Sequence, residues 1–406
     1  MKYLIKTFLK IIFKLVLYIP SRFTNKNCII VCGHDYEDYN GNSRFLYEYL
    51  SENSKYYIYW VTNNDFLIKY LDKKRLKYIT YKNIIDMILV ILKTKIIINS
   101  GNSYFNFLGL VDMIGAIKIT LQHGQGPKTD YHCNSDSKET ELLIEKINNF
   151  DYINFPSKFT SELNGRDLYK LPNKKIITFG YPKNDNLMSI YNSNKESKCD
   201  NNIKNIKDEY LKKFLKNNNI NESKILLYTP TWRPYKSSGF ELSMLDGYNE
   251  DEFCNYLEEN NLYMIFSSHP IMNIKNNINN RVINILNHET LVDINDLMIY
   301  SDILINDYST TSVDFSITRK PQIFCLPDHQ KYISHVRLDN DYLNNLPGSY
   351  VFSFKELIDL LNVVLMDNGE YSRKFRDQRI NYIEKYYDVK NISSCSKFNQ
   401  FINTII

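Results

Sequence analysis

The 406-residue chain lacks every short motif that would settle its chemistry alone. It holds no GxxxxGKS/T loop, no GxGxxG after its first apolar run, no GxSxG elbow and no HExxH pair. P-loop, dinucleotide-fingerprint, nucleophile-elbow and zincin readings are therefore set aside. Its seven cysteines, Cys28, Cys32, Cys133, Cys199, Cys254, Cys325 and Cys395, are scattered and show no CxxC spacing. An odd number with Cys28, Cys32 and Cys325 inside apparent strands points to buried free thiols in a reducing compartment, not to a zinc site. No Asp pair stands out as a Mg²⁺ holder, so chemistry without metal or cofactor is the simplest expectation. The net charge is only +4 and no dense Lys/Arg block adjoins aromatic platforms, so nucleic acid is not implied. Internal repeats are absent.

What is present is a globular composition, 43% hydrophobic and 24% charged, long enough for two or three domains. Met1 to Pro20 is mostly Leu, Ile, Phe, Val and Tyr, interrupted by Lys2, Lys6, Lys10 and Lys14. A spanning helix needs about 20 nearly uncharged residues, and a signal peptide keeps its charges ahead of one apolar block. The i, i+4 lysine stripe predicts instead an amphipathic helix lying on an anionic membrane surface, over residues 1–26. A core-packed helix with snorkelling lysines is the alternative.

Beyond it, apolar runs of strand length alternate with helical patterns. Cys28–Cys32, Tyr56–Val61, Leu76–Thr80, Lys95–Asn99, Ile117–Gln122, Tyr152–Phe155 and Lys175–Phe179 form a first set. An Asn- and Lys-rich stretch at 191–222 reads as a linker. Lys224–Tyr228, Tyr263–Ser267, Val282–Leu286, Ile303–Ile305, Gln322–Leu326 and Tyr350–Phe352 form a second set. Helical patterns fit Ile84–Leu92 in the first set and Glu250–Glu259, Glu289–Tyr300, Thr311–Ile317, Phe354–Met366 and Tyr371–Tyr386 in the second. Such alternation predicts βαβ units and parallel sheets. Two Rossmann-like α/β domains are expected, at 27–190 and 223–406, facing across a cleft beyond the strands' carboxyl ends.

Ser301–Asp328 is the segment around which this organisation makes sense. Ile303–Ile305 is a buried strand, Asn306 and Asp307 end it, and Ser309, Thr310, Thr311 and Ser312 crowd a helix start. Unpaired backbone N–H groups and the positive end of a helix suit such a turn to phosphate. An ordinary capped helix is the plainer reading. Two histidines, His123 and His269, follow strands directly, where a general base or a charge-stabilising imidazolium would sit. The glycines beside His123 allow close backbone approach. Arg233, in Thr229–Arg233, leaves another strand end with a planar fork of donors suited to phosphate oxygens.

As an ordered set these pieces resemble the CDP-glycerol glycerophosphotransferases that build teichoic acids and related capsular polymers. A strand ending in HG with Pro and Lys behind it is matched by Leu121–Lys128, and GYPxND by Gly180–Asp185. PTxR is matched by Pro230–Arg233, an HP dipeptide by His269–Pro270, and SDxLIxDYSS followed by KP by Ser301–Pro321. The opening helix and strand of that family are matched by Asp38–Trp60, so the resemblance runs over roughly residues 27–385.

The resemblance implies a GT-B fold with an acceptor-side first domain and a donor-side second domain. It implies His123 as the base for the acceptor hydroxyl and His269 as the stabiliser of the phosphates or departing CMP. Asp307, Ser309, Thr310, Thr311 and Arg233 would bind the donor pyrophosphate. Gly124, Lys128, Lys183 and Asp185 would lie on the substrate side. The implied partners are a CDP-polyol, a lipid-linked polymer acceptor and the cytoplasmic face of the membrane. In place of HGTPLK the chain has His123-Gly124-Gln125-Gly126-Pro127-Lys128, and DYSS has become Asp307-Tyr308-Ser309-Thr310. A GT-B glycosyltransferase using a nucleotide-sugar and a non-catalytic nucleotide-binding scaffold are the competing readings.

Overall fold

The computed structural model of the chain describes residues 16–34, 38–130, 138–192, 209–220, 223–233, 235, 240–267, 277–285, 291–339, 341–367, 369–387 and 393–406. Two compact units emerge. The first comprises residues 1–123, 141–185 and 390–406, and the second comprises 124–140 and 186–389. The units differ from contiguous blocks on either side of the linker in two places. The C-terminal helix joins the first unit, and the loop after His123 joins the second.

The first unit is built on seven strands: β1 (Cys28–Cys32), β2 (Tyr57–Val61), β3 (Tyr78–Ile79), β4 (Thr94–Asn99), β5 (Ile117–Thr120), β6 (Tyr152–Asn154) and β7 (Ile176–Ile177). They lie in the order β3-β2-β1-β4-β5-β6-β7, and every neighbouring pair is parallel. All five residues of β1 are buried, as the run CIIVC requires of a central strand covered on both faces. The Ile84–Leu92 helix matches its expected bounds and packs Met87, Ile91 and Leu92 against Ile30, Ile79 and Ile97. The C-terminal helix, Ser394–Ile405, lies beyond the last element that the sequence pattern predicts. Its Phe398 and Phe401 meet Phe179 edge to face, at 5.1 and 5.3 Å between ring centroids.

The second unit has six strands: β8 (Lys224–Thr229), β9 (Leu262–Phe266), β10 (Val282–Asn284), β11 (Ile303–Asn306), β12 (Gln322–Cys325) and β13 (Ser349–Val351). Their order is β10-β9-β8-β11-β12-β13, again all parallel. The fold is thus α/β with two parallel Rossmann-like sheets, of GT-B type. A separate antiparallel ribbon pairs Lys128–Asp130 with Arg337–Leu338. Three residues against two are too few for a strand pattern to register in the sequence.

Some expectations shift. The helix expected over Tyr371–Tyr386 is two helices, Glu370–Lys374 and Arg376–Tyr386. The helix expected from Glu289 runs Ile294–Tyr300, capped by the Asp293 carboxylate on the Asn295 N–H; residues 286–290 lie outside the described residues. Of the expected N-terminal helix, residues 16–23 are helical and 1–15 lie outside the described residues. Within the linker, Glu209–Asn217 is a helix, while 193–208 and 221–222 lie outside the described residues. Cys28, Cys32, Cys325 and Cys395 are buried free thiols, and burial pushes the Cys32 thiol up to about 12.

Candidate active site

In the second unit, the turn after β11 is held by side chains from the neighbouring strand ends. Asn306 accepts from the Thr229 hydroxyl (2.8 Å) and donates to the Ser309 carbonyl (3.1 Å), which fixes the turn against β8. Asp307 is 2% exposed. Its carboxylate accepts the Thr231 N–H (3.0 Å), the Thr231 hydroxyl (2.7 Å) and the Tyr308 N–H (2.6 Å), and it pairs with Arg233. The carbonyl of Asp307 accepts from the Tyr342 hydroxyl at 2.7 Å.

Arg233 is buried at the centre of this network. Its Nε and Nη2 each donate to Asp328 at 3.0 Å, and its Nη1 donates to the Thr231 carbonyl (2.6 Å) and to Asp307. The guanidinium lies 5.4 Å from the Tyr308 ring and 5.2 Å from Tyr332, which stack on each other at 3.7 Å. Burial opposes its charge, but Asp307 and Asp328 outweigh burial and hold its pKa above the ordinary value. Burial likewise opposes ionisation of Asp328, yet Arg233 and Tyr235 keep that carboxyl below its usual range. A fork whose donors are spent on two buried carboxylates has little left for a ligand. Arg233 and Asp307, both expected to bind the donor pyrophosphate, thus also hold the turn in shape. Asp328, which sequence reasoning passes over, is the second anchor; only its position beyond β12 hints at it.

Ser309, Thr310 and Thr311 stand partly exposed at the head of the Thr311–Ser316 helix. The Ser309 and Thr311 hydroxyls are 3.0 Å apart, and the Thr311 N–H donates to Ser309 Oγ (3.3 Å). The loop 124–127 lies against this turn. A Cβ added at Gly124 would sit 2.7 Å from Thr310 Oγ1, and one at Gly126 would sit 3.0 Å from Thr310 Cγ2. A side chain at either position would crowd Thr310. The Asp339 N–H donates to the Pro127 carbonyl at 2.8 Å, and the ribbon carries Lys128 into the same neighbourhood. Burial pushes the Lys128 ammonium down to about 8; Asp307 opposes the shift and Arg233 adds to it. Gly124 and Lys128, expected on the substrate side, thus lie beside the hydroxyl turn.

In the first unit, His123 is exposed and follows Gln122, a buried residue in the left-handed region at φ 57°. The Gln122 carbonyl accepts from Asn42 Nδ2 (2.8 Å), and Asn42 Oδ1 accepts the Lys183 N–H (3.3 Å). One buried asparagine on the Gly41–Asn53 helix thus ties the strand end before His123 to the Gly180–Asp185 turn. The His34 ring meets the His123 ring edge to face at 5.0 Å. Lys183 is buried, with its ammonium 5.6 Å from the Tyr181 ring centroid. Asp185 accepts the Ser394 N–H (2.8 Å), the Cys395 N–H (2.9 Å) and the Ser393 hydroxyl (2.5 Å). Its carboxylate, expected on the substrate side, caps the C-terminal helix. Gly180, at φ 84°, leaves the room that the Ser394 side chain fills. His269 lies outside the described residues. Among the described residues no group of three or more His, Cys, Asp or Glu is placed to hold a metal.

Residues 12–396 match the family model described as CDP-Glycerol:Poly(glycerophosphate) glycerophosphotransferase. A teichoic acid glycerol-phosphate transferase of Staphylococcus aureus (strain NCTC 8325 / PS 47) is 22% identical over 399 residues, covering 94% of each chain. A teichoic acid poly(glycerol phosphate) polymerase of Bacillus subtilis (strain 168) is 24% identical over 376 residues; the match spans 87% of this chain and 46% of that one. Among solved structures, the wall teichoic acid polymerase TagF soaked with CDPG superposes with a TM-score of 0.74 at 18% identity, covering 99% of this chain and 98% of that one.

Proposed function

Because the chain belongs to the CDP-glycerol:poly(glycerophosphate) glycerophosphotransferase family, we propose that it moves a polyol-phosphate unit, glycerol phosphate in the first instance, from a CDP-polyol to a hydroxyl of a polymer acceptor. The acceptor oxygen attacks the β-phosphorus, the bond from that phosphorus to the bridging oxygen breaks, and CMP leaves with the bonding pair. His123 takes the acceptor's proton. His269 offsets charge on the departing phosphate. Ser309, Thr310, Thr311 and Lys128 hold the pyrophosphate, and Arg233, Asp307 and Asp328 keep that turn in shape. Lys183 and Gly124 shape the surroundings of His123. The reaction needs cations and N–H or O–H donors aimed at phosphoryl oxygens, and the residues assigned here are of that kind.

The observation that carries this reading is the hydroxyl turn at Ser309–Thr311 with the glycine loop and Lys128 lodged against it. The acceptor is a lipid-linked wall or capsular polymer at the cytoplasmic face of the membrane, and the lysine stripe of the N-terminal segment supports attachment there. Among the described residues no helix is long and apolar enough to cross a membrane.

The test is to incubate the purified chain with labelled CDP-glycerol, CDP-ribitol or sugar nucleotides in the presence of bacterial membranes. CMP release dependent on membranes is expected, and transfer from a sugar nucleotide alone would overturn the reading. His123→Ala should lower turnover roughly 10²- to 10⁴-fold with little change in donor affinity. Near-wild-type turnover would remove His123 as the base.

A further inference from the structure

The candidate base has a neighbour to which the reaction as assigned gives no part. His34 leaves the carboxyl end of β1 as His123 leaves that of β5, and both are exposed. In the sheet β4 stands between those two strands, so two spacings of about 4.8 Å separate them. Their side chains would not ordinarily meet across a third strand. The two imidazole rings do meet, edge to face, with 5.0 Å between centroids. That is an arrangement aromatic rings prefer.

The backbone on both sides is arranged for this contact. Gly101 follows β4 and lies directly under His34. A Cβ added there would sit 2.9 Å from the His34 carbonyl oxygen and 3.5 Å from ring atom Cδ2. A Cβ at Gly33 would run into the Asp38 carbonyl oxygen, so the chain before His34 is packed against its own return. The turn after β4 is in turn fastened to β5. The Thr120 hydroxyl donates to the Gly101 carbonyl (2.9 Å), and the Leu121 N–H donates to the Asn99 carbonyl (2.7 Å). On the other side Gln122, at φ 57°, adopts a left-handed backbone uncommon for its residue type, just before His123. Such a conformation persists where the surroundings hold it, and Asn42 does so through the Gln122 carbonyl. Two surface histidines without a shared task would call for neither the glycine at 101 nor the left-handed residue at 122.

An exposed side chain moves among several rotamers. A general base has to keep one nitrogen within hydrogen-bond reach of the hydroxyl it deprotonates. We propose that His34 is a positioning residue for the candidate base: its ring holds the His123 imidazole in the orientation from which it takes the acceptor's proton. The inference rests on the role given to His123 above. It adds a residue that lies ahead of Asp38–Trp60 and belongs to none of the matched motifs.

The experiment compares His34→Ala and His34→Phe with wild type in CMP release from CDP-glycerol with bacterial membranes. His34→Ala should lower kcat about tenfold, with the KM for CDP-glycerol and the denaturation midpoint unchanged. His34→Phe keeps a ring at the position and should recover most of that loss. A second readout needs no substrate. With isotope-labelled histidine, the His123 ring resonance, identified by its disappearance in His123→Ala, should shift in His34→Ala as the neighbouring ring current is lost. The proposal is overturned by wild-type kcat in His34→Ala, or by a loss that falls on KM or on stability. His34→Phe as slow as His34→Ala overturns it too, because the ring contact would then not be what matters. Wild type that releases no CMP overturns the transferase reading and this inference with it. An unshifted His123 resonance in an active enzyme overturns this inference alone.

Discussion

Arg233 shows how a residue suited to a ligand can be consumed by the fold. Its pattern in the sequence, a cation leaving a strand end, fits phosphate equally well; in the fold it pairs with Asp307 and Asp328. Both carboxylate partners are nearly dry, so removing the cation leaves two buried charges uncompensated. Arg233→Met should therefore destabilise the second unit by roughly 3–5 kcal/mol, measured as a lower denaturation midpoint. A merely weakened donor affinity at unchanged stability would return Arg233 to the ligand. Lys128 is the opposite case, a cation that the fold keeps partly neutral. Its folded pKa near 8 lies below the ordinary 10.5. Between these values the unfolded chain holds more protons than the folded one, so this residue makes stability rise with pH across that window. Urea unfolding followed from about pH 8 to about pH 10 should show that rise, and Lys128→Met should flatten it.

At the scale of elements, the turns after strands owe their shape to asparagines. Asn306 serves the turn after β11, and Asn154 does similar work after β6, accepting the Phe179 N–H (3.1 Å) and donating to the Gly180 carbonyl (2.8 Å). The turn so fixed delivers Asp185 to the start of the C-terminal helix. Three donors converge on that one carboxylate, two of them backbone N–H groups that a helix leaves unsatisfied at its first turn. Asp185→Ala should cost about 1–2 kcal/mol and speed proteolytic clipping within residues 393–406. Loss of activity with the C-terminus equally protected would point back to a substrate role. The glycine loop is the other element whose purpose is local: with Thr310 within 3.0 Å of a would-be side chain at both positions, Gly124 and Gly126 serve contact distance, not an unusual φ.

Across the whole molecule, the chain leaves the first unit twice and returns. Residues 124–140 join the second unit, and after that unit is complete residues 390–406 come back to the first. The candidate base is the last residue of the first unit before that excursion, and Gly124, its covalent neighbour, is the first residue of the second. The proposed base and the first residue of the glycine loop are thus consecutive in the chain but fall in different units, a connection that a division at the linker conceals.

The sequence by itself determined the two sets of parallel strands, the position of the hydroxyl turn and the order of the motifs. These are written in short-range patterns: continuous apolar runs for buried strands, and Asn, Asp, Ser and Thr where strands end. The Cys28–Cys32 strand and the Ile84–Leu92 and Glu250–Glu259 helices keep the bounds that those patterns predict. Tertiary structure alone decided which polar side chains are spent on the fold. Arg233 finds Asp328 from 95 positions away, and Asp185 meets Ser394 across 209. A hydrogen bond depends on distance in space and on burial, and neither is encoded in the spacing of residues along the chain.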